Sequence, residues 1–222
     1  MSESVSSLSI LSNMFVAPQK AYKDIQLSYP ILLPVILIIA FNATVAFMLF
    51  ANLDFAWYVD QAVEAAAGDK SIAEQDQVRQ GMEMMSASGM KWMSIIAPAI
   101  VLPIIFSLIS LYYVIVSNIT NDGFQFKQWF AFVSWSSVPV LVSSLASLVV
   151  VLTNTDGRLM LESINPLSVN ELFLGMDPLK GMGKIFASMD IASFWSIALM
   201  TIGYSKWTEK SIGASLAIVI VP

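Results

Sequence analysis

Apolar positions in this chain come as long uninterrupted runs, without the polar face of a helix that lies on water. Residues 98–120 read PAIVLPIIFSLISLYYVIVSNIT and residues 129–153 read WFAFVSWSSVPVLVSSLASLVVVLT, and neither run holds a charged side chain. About 20 residues at ~1.5 Å each cover the ~30 Å hydrocarbon core of a bilayer. The eight residues between the runs, NDGFQFKQ, are turn and interface residues. The pattern predicts a transmembrane helical hairpin.

The same criterion places a span at 29–51, with Pro30 at the first helical position, where proline is tolerated. Another falls at 190–207, opened by Asp190 as an N-cap and carrying Trp195, Tyr204 and Trp207 at aromatic-belt positions. The closing run IGASLAIVIVP would reach only about 17 Å as a helix, so residues 211–222 read as a fifth span cut short, in preference to a partial insertion. The predicted architecture is all-α. It is a polytopic transmembrane bundle with four full spans, at about 29–51, 94–117, 129–153 and 190–207, and a truncated fifth.

Ahead of the first span, residues 1–28 form an interfacial amphipathic segment. Leu8, Leu11 and Phe15 share one helical face, and Pro18 starts a second short helix bearing Lys20, Tyr22 and Lys23. The segment is too short and polar to span and suits the headgroup level, with Lys20 and Lys23 among the interfacial candidates. Its start, Met1 to Ser9, is Ser-rich with no Lys or Arg, unlike a cleavable signal peptide.

Two long polar connections complete the chain. Residues 52–93 carry seven acids against three bases. Ser71-Ile-Ala-Glu74 has capping-box spacing, and Gly68-Asp69 breaks the helix before it, which predicts an exposed helical hairpin or a helix resting against the membrane. In residues 154–189, Asn165-Pro166 and Asp177-Pro178 initiate turns. Ser168-Val-Asn-Glu171 predicts a short helix ending near Gly175.

Within the spans, polar side chains are few. Asn42 fits a hydrogen bond to a neighbouring helix. Pro98 and Pro103 lie in the first half of the second span. Pro139, in the middle of the third, frees the Trp135 carbonyl and bends the helix, and Ser136 and Ser137 are expected to satisfy that carbonyl. Ser136, Ser143 and Ser147 share a face, with Ser144 and Ala146 beside it. Small residues at this spacing let helices approach closely; a polar pathway is the competing reading.

Composition narrows the chemistry. Hydrophobic residues make up 57% of the chain and charged residues 12%, with a mean hydropathy of +0.73, where a soluble domain devotes about a quarter of its positions to charge. A net charge of −5 argues against nucleic acid. With no Cys and no His there is no thiol or imidazole nucleophile and no disulfide, and the usual zinc and haem ligands are missing. Met82, Met84, Met85, Met90 and Met93 crowd together, but without Cys or His beside them adaptable apolar packing is preferred to a Cu(I) site. No metal or cofactor is expected.

Lysines set the orientation. Lys20 and Lys23, Lys127, and Lys206 and Lys210 lie in regions separated by an even number of crossings, which makes the N-terminus cytoplasmic; Lys180 and Lys184 run against the trend.

Three passages carry a resemblance: VAPQKAYKDI at 16–25, GFQFKQWFAFVSWSSVPVLV at 123–142, and SMDIASFWSIALMTIGYSKWTEKS at 188–211. In these the chain resembles the Yip family, membrane proteins named for interacting with Ypt/Rab GTPases, in its prokaryotic-type form. The resemblance implies five spans and a cytosolic N-terminus. Eukaryotic members are linked to Rab binding and vesicle traffic. Without their long cytosolic N-terminal domain, this chain does not inherit that role, and no site residue is carried over.

The expected function is a non-enzymatic scaffold in a bacterial cytoplasmic (inner) membrane. Its partners would be the lipid bilayer and other membrane proteins or a second copy of itself. A small transporter or channel for a neutral solute or lipid is the alternative, with Asn42, Ser136, Pro139, Ser143 and Ser147 as packing or path residues. An intramembrane enzyme would need paired carboxylates or a Ser/Lys pair inside the spans, and none is evident.

Overall fold

The computed structural model describes residues 6–222, so residues 1–5 lie outside it, and with them the first part of the 1–28 segment and of the Ser-rich start. The described residues form two compact units, one of residues 6–39, 99–141 and 192–222, the other of Ala40–Pro98 and Val142–Ile191.

Helices α1 (Ser7–Val16) and α2 (Pro18–Ser28) form a short hairpin in the first unit. Pro18 occupies the first turn of α2, and Tyr29 closes it in the left-handed region, its N–H donating to the Ile25 carbonyl at 2.8 Å. Helix α3 (Leu32–Asn52) is uncharged throughout. In the second unit, α4 (Phe55–Ala67) and α5 (Ile72–Glu83) form the helical hairpin expected of residues 52–93. Both reciprocal bonds of the Ser71–Glu74 capping box are made. The Ser71 hydroxyl and then the Ser71 N–H, both donating to the Glu74 carboxylate, hold its carboxyl below the usual range.

Helix α6 (Ala87–Thr120) runs 34 residues, seven earlier than the predicted span, or about 50 Å. The third apolar run is two helices, α7 (Phe126–Ser136) and α8 (Val140–Thr153), broken at Pro139. The break is repaired differently from the expectation. The Trp135 carbonyl accepts the Val138 N–H at 3.2 Å, a tightened backbone turn. The Ser136 and Ser137 hydroxyls instead donate one turn back, to the Phe132 and Val133 carbonyls at 2.7 and 2.9 Å. The tightened turn brings a backbone amide to the freed carbonyl, and each hydroxyl takes the carbonyl one turn before it.

In the second long connection, Ser168 Oγ accepts the Glu171 N–H at 3.1 Å, and a single π-helical turn over Asn170–Leu174 ends at Gly175 in the left-handed conformation. Helix α9 (Gly181–Ser188) then leads to α10 (Ile191–Thr208) and α11 (Ile212–Val219).

Among the described residues, three segments are long and apolar enough to cross a membrane: α3, α6 and the α7–α8 run. Helix α10, which carries Lys206, and the eight-residue α11 are not among them. The faces of these helices are inverted relative to a protein in water. On α6, Ile100, Ile104, Leu108, Leu111, Ile115 and Ile119 are exposed, and Ser110 and Ser117 are buried beside Phe106 and Tyr113. On α8, Val142, Leu145, Val149 and Leu152 face out and Ser143, Ser144 and Ser147 face in. Apolar stripes of this length on the outside match hydrocarbon as the surrounding medium.

Candidate functional site

In the first unit, the buried face of the N-terminal hairpin meets an aromatic core. Tyr22 of α2 is fully buried, its hydroxyl 2.6 Å from Ser136 Oγ. The single Ser136 hydrogen goes to the Phe132 carbonyl, so Tyr22 donates and Ser136 accepts. Burial pushes the Tyr22 phenol far above its ordinary pKa, so it stays a neutral donor. The ring of Tyr22 lies tilted over Phe132 at 5.5 Å. Tyr113 stacks on Trp129 at 4.9 Å and Trp129 on Tyr204 at 5.5 Å. Each indole N–H in this unit that enters the core finds an acceptor: Trp129 on Ser117 Oγ at 3.0 Å, Trp135 on the Pro30 carbonyl at 2.6 Å, Trp207 on the Tyr22 carbonyl at 3.0 Å.

Trp207 is only 5% exposed, and Tyr204 is buried with it, so both rings pack into this core. The reason is that α2 lies over this end of α10, and the two aromatics supply its contact surface. Trp195 is half-buried and meets Phe15 of α1 edge-on at 5.3 Å.

The polar ends of this unit are tied together. Gln128 Nε2 donates to the Tyr29 hydroxyl at 2.6 Å. Lys210 Nζ holds both carboxylate oxygens of Asp122 at 2.8 and 3.0 Å. The segment before α3, the α6–α7 turn and the α10–α11 turn therefore lie at one end of the unit. Lys20 and Lys23 are exposed and, with Lys206, line a hollow of about 500 Å³.

The second unit holds a buried carboxylate whose sequence position suggested no more than a cap. Asp190 is 7% exposed; its Oδ2 accepts from Ser143 Oγ at 2.6 Å and from Asn165 Nδ2 at 3.0 Å. Two backbone bonds, Val169 N–H to Met189 O and Ile191 N–H to Leu167 O, pin the connection beside it. Ser147 is buried on α8 and Asn42 half-buried on α3. Ser136 and Ser143, which share a face by spacing, thus serve different partners, Tyr22 and Asp190. The signal for Asp190 was its place as the one acid entering an apolar run.

For chemistry the inventory is sparse. Among the described residues no three His, Cys, Asp or Glu side chains gather as metal ligands. Met84, Met85 and Met93 are exposed on the polar connection and on α6. Asp190 is met by hydroxyl and amide donors, neither of them a general base.

The model of the Yip1 domain matches residues 12–222. No curated protein and no solved structure matches the chain. The Yip1 family is not known as a family of enzymes. The match spans the α1–α2 hairpin, the aromatic core and every apolar helix described above, and by it this chain, a membrane protein, belongs to the Yip1 domain family.

Proposed function

We propose that the protein is a non-enzymatic scaffold that holds membrane partners or lipids, with its N-terminus on the cytoplasmic side of a bacterial inner membrane. On this reading α3, α6, α7–α8 and α10 make four full crossings and α11 begins a fifth. The observation that carries it is how the inward-facing hydroxyls are used. Ser110 donates to the Phe106 carbonyl, Ser134 to the Phe130 carbonyl at 2.7 Å, Ser136 to the Phe132 carbonyl and Ser143 to Asp190. Hydroxyls committed in this way favour helix packing over a wetted path. The lysine-bearing ends gathered by the Lys210–Asp122 pair support the cytoplasmic orientation.

The alternative, a small transporter or channel, would draw on Asp190 beside Ser143, an ionisable group within reach of a hydroxyl-bearing face. The two readings separate on water access. The chain has no cysteine, so Ser143→Cys gives a single reactive thiol. Treated with a membrane-impermeant maleimide in sealed vesicles of either orientation, this thiol should stay unmodified under the scaffold reading. Rapid modification from one aqueous side would transfer the assignment to a solute path.

A further inference from the structure

We propose that the hollow lined by Lys20, Lys23 and Lys206 binds the phosphate headgroup of an anionic phospholipid, an inference that rests on the membrane placement argued above and gives it a ligand. Three lysines line it from chain segments about 180 residues apart, Lys20 and Lys23 from α2 and Lys206 from the last turn of α10. None of the three takes part in an ion pair among the described residues, whereas Lys210 nearby is committed to Asp122. Among the described residues no carboxylate lines the hollow. Glu209 faces the adjoining depression, shared with Lys206 and Lys210, and Asp24 lies half-buried on α2. The local field is therefore positive on a chain whose net charge is −5.

The remaining lining points to an amphiphile over a free anion. Gln19 adds an amide, while Pro18 and Ile202 supply apolar walls. Directly before this lining stands Val16, 76% exposed, and Leu8 on the same helix is 67% exposed, an apolar flank for the acyl side of a lipid. A volume of about 500 Å³ accommodates a glycerophosphate headgroup. The polar segments gathered at this end of the unit carry the lysine bias of a cytoplasmic face, and that leaflet holds the anionic lipids.

The test uses the full chain purified in a neutral detergent, with thermal unfolding followed as phosphatidylglycerol, phosphatidylcholine or inorganic phosphate is added. Phosphatidylglycerol should raise the midpoint by several degrees, with the other two leaving it in place. In the K20Q/K23Q/K206Q variant the apparent affinity for phosphatidylglycerol should fall by about tenfold or more. The K180Q/K184Q variant should respond as the parent does. An unchanged midpoint of the triple variant in phosphatidylcholine shows that it still folds, and the single substitutions stand in if it does not. Equal shifts from both lipids, an equal shift from inorganic phosphate, or an undiminished response in the lysine variants would each overturn the proposal. None of these outcomes bears on thiol modification at position 143, so the lipid site can fail while the scaffold reading stands.

Discussion

Gly203 decides how closely α2 and α10 can meet. A Cβ added there would overlap two carbons of the Tyr22 ring and lie 2.7 Å from the Phe132 ring. Those rings are buried and packed on one another, so neither can swing away as the tip of a flexible side chain would. Gly203→Ala should therefore destabilise the protein by about 1–3 kcal/mol, the usual range for overpacking. Gly213→Ala, on α11 with nothing within 4 Å of its Cβ, should be neutral or slightly stabilising. Parallel thermal melts in detergent check the pair; equal midpoints would mean that the Tyr22–Gly203 contact does not hold the N-terminal hairpin in place. Gly157 is another position where only glycine fits, at φ 71° and with the Asn52 carbonyl oxygen in the space a Cβ would need.

At the scale of elements, the joints between helices differ in kind. The Lys210–Asp122 pair links the α6–α7 turn to the turn after α10 with both partners largely shielded, at 25% and 9% side-chain exposure. Asp122→Asn should cost about 1–3 kcal/mol, more than an exposed pair, because it leaves the ammonium without its counter-charge. The matching control is Asp60→Asn, whose partner Arg79 sits at 38% exposure and which should cost under about 1 kcal/mol. If the two variants melt alike, the buried pair is not the joint described here. Local chemistry at helix ends was legible in advance. The caps at Ser71 and Ser168 were visible because capping needs only residues three apart. The repair at Pro139 was not, because backbone amide and serine hydroxyl compete for one carbonyl and the winner depends on how tightly the turn winds. The π form of the Asn170–Leu174 turn was likewise invisible to a cap signal.

For the whole molecule, the all-helical character and the apolar helices followed directly from uncharged runs, since a bilayer's thickness maps onto run length. The sites were harder to read. Trp207 and Trp195 look alike in sequence, each near polar residues, yet one is core and the other half-buried, because the partner that covers Trp207 is contributed by α2, 185 residues earlier. Asp190 and Ser143 are 47 residues apart, and only the fold brings them to hydrogen-bond distance. Lys206 joins Lys20 and Lys23 for the same reason. Long-range pairs of this type leave no periodic trace in a chain read alone.

The central claim is that hydrocarbon surrounds the exposed stripes of α6 and α8 while their serines turn inward. Nitroxide labels at Leu108→Cys and Leu145→Cys, 61% and 48% exposed in the parent, address it most directly in reconstituted bilayers. Collision rates with dissolved oxygen and with a water-soluble nickel chelate report the medium around each label. The account predicts high oxygen and low nickel accessibility at both positions. High nickel accessibility at both would place these stripes in water and contradict it.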